Sequence, residues 1–418
     1  MTPPVAKSIR MLAILMVLAT TVLLTLGALT SSFRAGMADP VWPTEPWFLA
    51  VNGHKYNLEE HRGFLLEHTH RAAGFTVGAL ASILALAAWF SGPRKLERGY
   101  GLIAIVLLLV CYGTFHREMH AASDARVARQ IALGKGLTDV PPPEIFPETS
   151  GLLTAAFAFC VLASCGLHLL SDQPGKWVRA LAGCLLVCVM IQGLLGGYRV
   201  YLDQLLGPEL SQIHGTFAQV VFAAMCCVPL LAAAPLPERQ LPEYERCRLK
   251  WLAFALTATV FLQLVWGVIV RHTADPLAQR LHILTAFAVV GLGVWLATRS
   301  LSTASGRRVL GFGIWHLLVM FAIQLILGVE AYLGKFAALG SQGNVAPMAR
   351  RITEDAAAIR TLHVLIGTAI LASSVVLAVR ILRRASAVEW DENTERTDAV
   401  SEWTRVESLT LSASEPHR

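Results

Sequence analysis

Charged residues are scarce in this chain. They make up 15% of its 418 residues, whereas 55% are hydrophobic, and the mean hydropathy is +0.54. Soluble domains usually have about a quarter of their residues charged, so the composition excludes a soluble enzyme and a disordered protein as leading classes. The net charge of +6 does not come from a basic stripe with interleaved aromatic residues. A nucleic-acid-binding protein is therefore not expected either.

Long apolar runs occupy most of the chain instead. A helix that crosses the hydrocarbon core of a bilayer needs about 20 apolar residues, and about ten runs approach that length. Between them lie clusters of charged and turn-forming residues, which lipid excludes and an aqueous face tolerates. The sequence therefore predicts an all-α membrane protein. Its predicted crossings lie near residues 11–33, 67–91, 100–115, 150–170, 179–198, 213–235, 251–270, 281–298, 309–329 and 361–382, the third being the shortest.

Lysine and arginine are unevenly divided between the two sets of loops. They are denser in the short set, which includes residues 1–10 and 92–99, and basic loops face the cytoplasm. Lys7 and Arg10 precede an apolar run longer than the about 7–15 residues of a signal-peptide core, so an uncleaved anchor is expected. We therefore expect a bacterial inner-membrane protein with a cytoplasmic N-terminus and a disordered cytoplasmic tail over 386–418.

Cysteine is absent from the loops predicted to face outwards. All eight cysteines lie in predicted helices or in a predicted cytoplasmic loop. An extracytoplasmic disulfide is therefore not expected. Cys184 and Cys188 are one helical turn apart, which is more typical of small packing residues than of metal ligands.

A repeat runs through the apolar segments. Three predicted helices carry a Gln-x-x-x-Gly motif near their outer ends, and each is followed by a helix that opens with histidine. The first hairpin matches more loosely, with LLTLG in one helix and LLEHTHRAAG opening the next. Four related hairpins predict an eight-helix core of two pseudo-repeated four-helix halves, with the helix pair at about 100–170 inserted. The motifs are Gly27 with His70, Gln192 and Gly196 with His214, Gln263 and Gly267 with His282, and Gln324 and Gly328 with His363.

Four histidines at one depth in a membrane indicate a functional site. Polar residues there are costly, whereas glycine lets helices approach closely. Imidazole is a common axial ligand of heme iron, and facing helices of a bundle can hold a flat macrocycle. In the alternative interpretation, each histidine bonds a backbone carbonyl or caps a helix. Another pair, His116 and His120, suits either a metal or a helix cap.

Several motifs together resemble the heme A synthase family of cytochrome oxidase assembly proteins. They are Glu67-His68-Thr69-His70-Arg71, the GMADPVWPT segment from Gly36 to Thr44, the GVIVRH run from Gly267 to His272, and the three later histidine helices. The resemblance covers residues 11–91 and 179–382. It implies an N-terminal half, 1–235, that binds the substrate heme and a C-terminal half, 250–385, that binds a permanent heme b.

Ligand roles for the histidines follow from this resemblance. Family members oxidise the C8 methyl group of heme O to a formyl group, which yields heme A for terminal oxidases. Residues His70 and His214 would ligate or face the iron of the substrate heme, and His70 would also take part in catalysis. His282 and His363 would ligate the iron of heme b.

The resemblance also assigns roles to charged residues. Glu67 matches the family's acid beside the substrate and would move protons during oxidation. Arg71 would pair with a heme propionate. In the alternative interpretation, Glu67 and Arg71 form a solvated ion pair at the membrane interface. Arg199 and Arg271 lie near the same predicted level, where they suit either propionate pairing or anchoring at the interface.

Partners and rival functions complete the sequence-based expectations. The resemblance implies heme O as substrate, with heme O synthase and cytochrome oxidase subunits as partners in the membrane lipid. The electron donor is not identified, and a homo-oligomer is compatible with the sequence.

Three features depart from the family pattern: outer-loop cysteines are missing, SSFRAG replaces a Gly-rich stretch, and a helix pair is inserted. A di-heme cytochrome for quinol-linked electron transfer and a non-catalytic heme carrier or assembly factor stay open as alternatives.

Overall fold

The protein is built from ten helices. The computed structural model describes residues 3–36, 42, 62–134, 147–233, 241–336 and 352–383, and these residues include no strand. All ten helices are long and apolar enough to cross a membrane, which confirms the predicted all-α, multi-pass architecture. The predicted tail at 386–418 lies outside the described residues. The helices are α1 Pro3–Ser32, α2 Arg62–Phe90, α3 Lys95–Leu133, α4 Glu148–Leu170, α5 Lys176–Leu206, α6 Pro208–Ala232, α7 Glu243–Thr273, α8 Pro276–Leu301, α9 Ala304–Phe336 and α10 Glu354–Leu382.

Eight of these helices form two rings of four. In the first ring, α1 and α5 each contact both α2 and α6. In the second ring, α7 and α9 each contact both α8 and α10. The two rings are joined because α10 also packs on α1 and α6, and α6 packs on α7. The helices of both rings belong to one compact unit. Across the diagonal of each ring, α2 lies opposite α6 and α8 lies opposite α10.

The remaining two helices, α3 and α4, form a hairpin beside the first ring. α3 packs on α2, and α4 packs on α5. The helix α3 is much longer than the run at 100–115 predicted, since it continues through Leu133. Residues 116–133, which follow the predicted crossing at 100–115, are therefore helical. The extension is amphipathic rather than apolar throughout, with Phe115, Met119 and Ser123 buried at a spacing of four residues.

Two large hydrophobic cores lie inside these helices. The first lies among α1 to α6 and includes Leu84, Leu108 and Leu185, all of them nearly inaccessible to solvent. The second lies among α6 to α10 and includes Leu296 and Leu310. Large apolar side chains also cover the perimeter of the bundle, as expected for helices surrounded by lipid.

One end of the bundle carries the four motif histidines, and we call it the histidine end. Here α1, α5, α7 and α9 end, and α2, α6, α8 and α10 begin. Side chains tie the two rings together at this end, because Arg271 Nη2 donates to Ala28 O at 2.8 Å and the hydroxyls of Ser32 and Thr361 are 3.0 Å apart. The residues that surround the histidines are therefore held by contacts between helices of both rings.

Candidate functional site

Each motif histidine packs against the glycine that precedes it in the repeat. The closeness of this packing is measured by the methyl carbon that alanine would place at each glycine. This carbon would lie 2.8 Å from His70 Nε2 at Gly27 and 2.9 Å from His282 Cε1 at Gly267. Glycine is thus needed for the imidazole to approach the neighbouring helix. The same contact distances are 3.1 Å at Gly328, to His363 Cε1, and 3.3 Å at Gly196, to His214 Cε1.

The glutamines of the repeat also contact the histidines. Gln192 Nε2 lies 3.2 Å from both ring nitrogens of His214 and donates to the His214 carbonyl at 3.0 Å. Gln263 Nε2 lies 3.4 Å from His282 Nε2, and Gln324 Nε2 lies 3.4 Å from His363 Nε2. The Oε1 atom of each of these glutamines is buried without a hydrogen-bond partner in the described part of the chain.

The tautomer of His282 follows from its second contact. His282 Nδ1 lies 3.0 Å from the backbone oxygen of Gln263, which can only accept a hydrogen bond. Nδ1 therefore carries the proton, and Nε2 keeps its lone pair. Metal-bound histidines are commonly oriented in this way, with the second ring nitrogen donating to a carbonyl. The hydrogen bond from His282 to a backbone carbonyl, which a purely structural histidine would also make, is present. It leaves Nε2 suited to bind a metal.

The repeat contains a further small position that the Gln-x-x-x-Gly motifs and the histidines do not include. One turn after each histidine stands glycine or alanine: Gly74, Ala218, Ala286 and Gly367. A methyl group added at Gly367 would lie 3.2 Å from Gln324 Nε2, and one added at Gly74 would lie 4.0 Å from Leu23 Cδ1. Leu23 therefore occupies the glutamine position in the first hairpin. The signal was a small residue at a fixed offset from histidine, visible only once the four segments are aligned.

The two histidines of each ring lie on diagonally opposite helices. His70 is on α2 and His214 is on α6, while His282 is on α8 and His363 is on α10. The ring centres of His282 and His363 are 6.3 Å apart, with the ring planes at 75°. His70 lies within electrostatic range of His214. The structure thus brings the predicted residues together as two pairs, one in each four-helix ring.

The geometry of the second pair fits the axial ligands of a heme. With metal–imidazole bonds of about 2 Å, two axial nitrogens are about 4 Å apart and their ring centres about 6 Å apart. The observed 6.3 Å between His282 and His363 agrees with this spacing. Each of these two imidazoles packs against a glycine and contacts a glutamine. These donors therefore suit a bis-histidine heme more closely than a polydentate metal site, and the described residues contain no cluster of three or more metal-ligating side chains.

Glu67 and Arg71 form an ion pair beside the first histidine pair. Arg71 Nη2 lies 3.0 Å from Glu67 Oε1, and the side chains are only 9% and 10% exposed, respectively. Both residues are on α2, where Glu67 precedes His70 by three residues and Arg71 follows it directly. The pair is buried, unlike the solvated pair considered from the sequence. Its carboxylate therefore lies in the interior, near His70, rather than at the bundle surface.

The inserted hairpin holds part of the segment that connects α1 to α2. Trp42 is buried, its indole N–H donates to His116 Nδ1 at 3.0 Å, and its backbone N–H donates to Ser123 Oγ at 3.2 Å. Phe115 and Met119 complete this small core. His116 is therefore a hydrogen-bond partner of Trp42, and His120 Nε2 lies 3.6 Å from Asp124 Oδ2. Apart from Gly36 and Trp42, the GMADPVWPT segment lies outside the described residues.

Comparison of the chain with protein-family models, curated proteins and solved structures finds no match.

Proposed function

We propose that this protein is a heme A synthase, a membrane oxidoreductase that converts the C8 methyl group of heme O to a formyl group. The observation that carries the proposal is the pair of imidazoles at a 6.3 Å spacing on opposite helices, together with its counterpart in the other ring. Glycine and glutamine residues support the histidines in a repeated pattern. The motifs around Glu67 and His70, which resemble that family, select this activity among those of heme proteins.

In this proposal the C-terminal ring holds the resident cofactor. His282 and His363 would bind the iron of heme b, and the Gln263 carbonyl would keep His282 in the tautomer that ligation requires. Heme b bound there would supply one-electron redox chemistry. Gln263 and Gln324 lie beside the ligand nitrogens, so their amides would have to turn aside when the nitrogens bind iron.

The N-terminal ring would bind the substrate, heme O. His70 and His214 would hold its iron between α2 and α6, so the macrocycle would lie inside the N-terminal four-helix ring. Oxidation of a methyl group to an aldehyde with water as the oxygen source releases protons and electrons, and the electrons would pass to an external acceptor. Glu67 is the buried carboxylate nearest in sequence to His70, and it would accept a proton released during the oxidation. A bacterial inner membrane, with the histidine end facing outwards, is the proposed location.

The test is production of heme A. The protein would be co-expressed with a heme O synthase in a host that lacks its own heme A synthase, and extracted hemes would be separated by chromatography. Heme A should accumulate with the unaltered protein and disappear with His70→Ala. Appearance of only heme b and heme O, with protein that is stable and heme-loaded, would refute the synthase and favour an electron-transfer cytochrome or a heme carrier.

Variants separate the two rings in the same assay. His282→Ala and His363→Ala should each lose the resident heme b, because an axial ligand is removed. Glu67→Gln should retain heme b but form less heme A. The matched control is His316→Ala, since His316 is exposed on α9, where it stacks on Phe312. Full heme b content in both ligand variants would contradict the ligand assignment.

A further inference from the structure

The histidine end concentrates cationic side chains between the two rings. Arg199 is near the end of α5, Arg271 near the end of α7, Lys335 near the end of α9, and Arg360 near the start of α10. Arg271 lies within electrostatic range of both Arg360 and Arg199. Lys335 lies within the same range of Arg360 and Arg271. Like charges repel one another, so such a group is unfavourable unless other groups compensate for it.

Helix ends compensate for three of these four cations. Arg271 donates to Ala28 O at the end of α1, Lys335 donates to the Val270 and Arg271 carbonyls at the end of α7, and Arg360 donates to Gly334 O near the end of α9. Carbonyls near the C-terminal end of a helix carry partial negative charge. These contacts explain the positions of three cations as caps of neighbouring helices.

The position of Arg199 is not explained by a hydrogen bond to the end of a neighbouring helix. Within the described part of the chain its Nε atom is buried without a hydrogen-bond partner, and no acidic side chain forms an ion pair with it. A methyl group added at Gly36 would lie 2.5 Å from Arg199 Nη2, so the chain passes close to the guanidinium there. Arg360 Nε is likewise buried without a partner. A buried guanidinium nitrogen that lacks a partner is costly, and the fork of N–H groups of arginine matches a carboxylate or a phosphate.

The position of Arg199 relates it to both histidine pairs. It lies within electrostatic range of His70 and His214 in the first ring, and of Arg271. Arg271 in turn lies within that range of His363 in the second ring. Geometry agrees, because Arg199 follows Gly196, which packs on His214, by three residues, and Arg271 follows Gly267, which packs on His282, by four. An anion bound by Arg199 and Arg271 would therefore lie beside both histidine pairs. The proposed ligands of both pairs are hemes, and each heme carries two propionate carboxylates on one edge.

We propose that Arg199 and Arg271 form a shared carboxylate site that binds propionate groups of the hemes in both rings. This inference rests on the proposed heme function and deepens it. Propionates held at the histidine end fix the rotation of each macrocycle about its iron. The C8 methyl group of heme O neighbours a propionate on the same pyrrole ring, so this contact would also fix where the methyl group lies. Arg199 is a positioning residue in this scheme, because it binds the carboxylate edge and does not touch the methyl group.

The test compares two porphyrins that differ only in their carboxylates. Detergent-purified protein from heme-depleted cells would be titrated with ferric protoporphyrin IX and with its dimethyl ester, and low-spin bis-histidine absorption would be recorded. The unaltered protein should bind the free acid at least about tenfold more tightly than the ester. Arg199→Gln should bind both compounds about equally and keep the low-spin spectrum. Arg199→Lys should recover part of the preference, and Arg280→Gln, an exposed cation near His282, should retain it fully.

Contrary results separate the two proposals. Equal binding of acid and ester by the unaltered protein, with a bis-histidine spectrum, would overturn the carboxylate site and leave heme binding intact. No low-spin spectrum with either compound would overturn both. Native mass spectrometry distinguishes another anion, the phosphate of a phospholipid. A tightly bound phospholipid that Arg199→Gln loses, together with no preference for the free acid, would assign the site to lipid and refute the propionate assignment.

Discussion

Replacing Gly267 with alanine tests the histidine geometry directly. The new methyl carbon would lie 2.9 Å from His282 Cε1 and 3.3 Å from His282 Nδ1. Carbon atoms in favourable contact are about 3.5–4.0 Å apart, so the ring must move by at least about 0.6 Å. His282 Nδ1 also donates to the Gln263 carbonyl, one turn before Gly267 on the same helix. Moving the ring away from α7 would therefore stretch that hydrogen bond as well.

The expected cost is that of overpacking. Added methyl groups in well-packed interiors typically destabilise by about 1–3 kcal/mol. Alanine also gains about 1 kcal/mol over glycine from helix propensity, which would partly hide the effect. Gly291→Ala removes this ambiguity, because Gly291 is on α8, the helix of His282, and a methyl group there would meet no atom within 4 Å. The difference between the two variants isolates the contact with the histidine.

Thermal unfolding and absorption spectra of the purified variants provide the assay. Gly267→Ala should be about 1–3 kcal/mol less stable than Gly291→Ala. If His282 ligates heme b, Gly267→Ala should also lose heme or its low-spin spectrum, whereas Gly291→Ala should not. Equal stability and identical spectra of the two variants would refute the close contact and, with it, the argument that glycine positions the ligand.

The same reasoning ranks the other glycines of the repeat. Gly27→Ala places its methyl group closest to a histidine, at 2.8 Å, and Gly196→Ala places it farthest, at 3.3 Å. The stability loss should therefore be largest at Gly27 and smallest at Gly196, where the ring can yield by a few tenths of an ångström. A reversed order would show that the surroundings of each histidine, rather than the contact distance, decide the cost.

Two further variants test contacts that hold the histidine end together. Trp42→Phe keeps an aromatic ring but removes the donor to His116, and leaving a buried acceptor unpaired should cost about 1–3 kcal/mol. Trp251→Phe, at a site 70% exposed, should change thermal stability little, and equal losses would contradict the role of the indole N–H. Lys335→Met removes the charged donor to the last carbonyls of α7, and a loss of about 1.5–3 kcal/mol is expected. Unchanged unfolding of Lys335→Met would show that water replaces the lysine there.

The candidate site could be read from the sequence in part. The Gln-x-x-x-Gly motifs and the histidines that follow them predicted which residues belong together, because consecutive elements of a chain usually lie next to each other in space. The order of motifs and histidines along the chain also matches which glycine meets which imidazole. The repeat by itself did not predict which histidines pair across each four-helix ring. This pairing depends on which hairpins lie side by side, and the structure places α2 opposite α6 and α8 opposite α10.

The sequence by itself determined the number and approximate positions of the membrane-crossing helices, since continuous apolar length is a local property that the bilayer requires. It did not determine the length of α3, because beyond Phe115 only one side of that helix is buried, against Trp42 and α5. It also did not show that Arg271, Lys335 and Arg360 cap neighbouring helices whereas Arg199 caps none. Contacts between residues far apart in the chain decide which cations lie beside exposed carbonyls, and these contacts exist only in the tertiary structure.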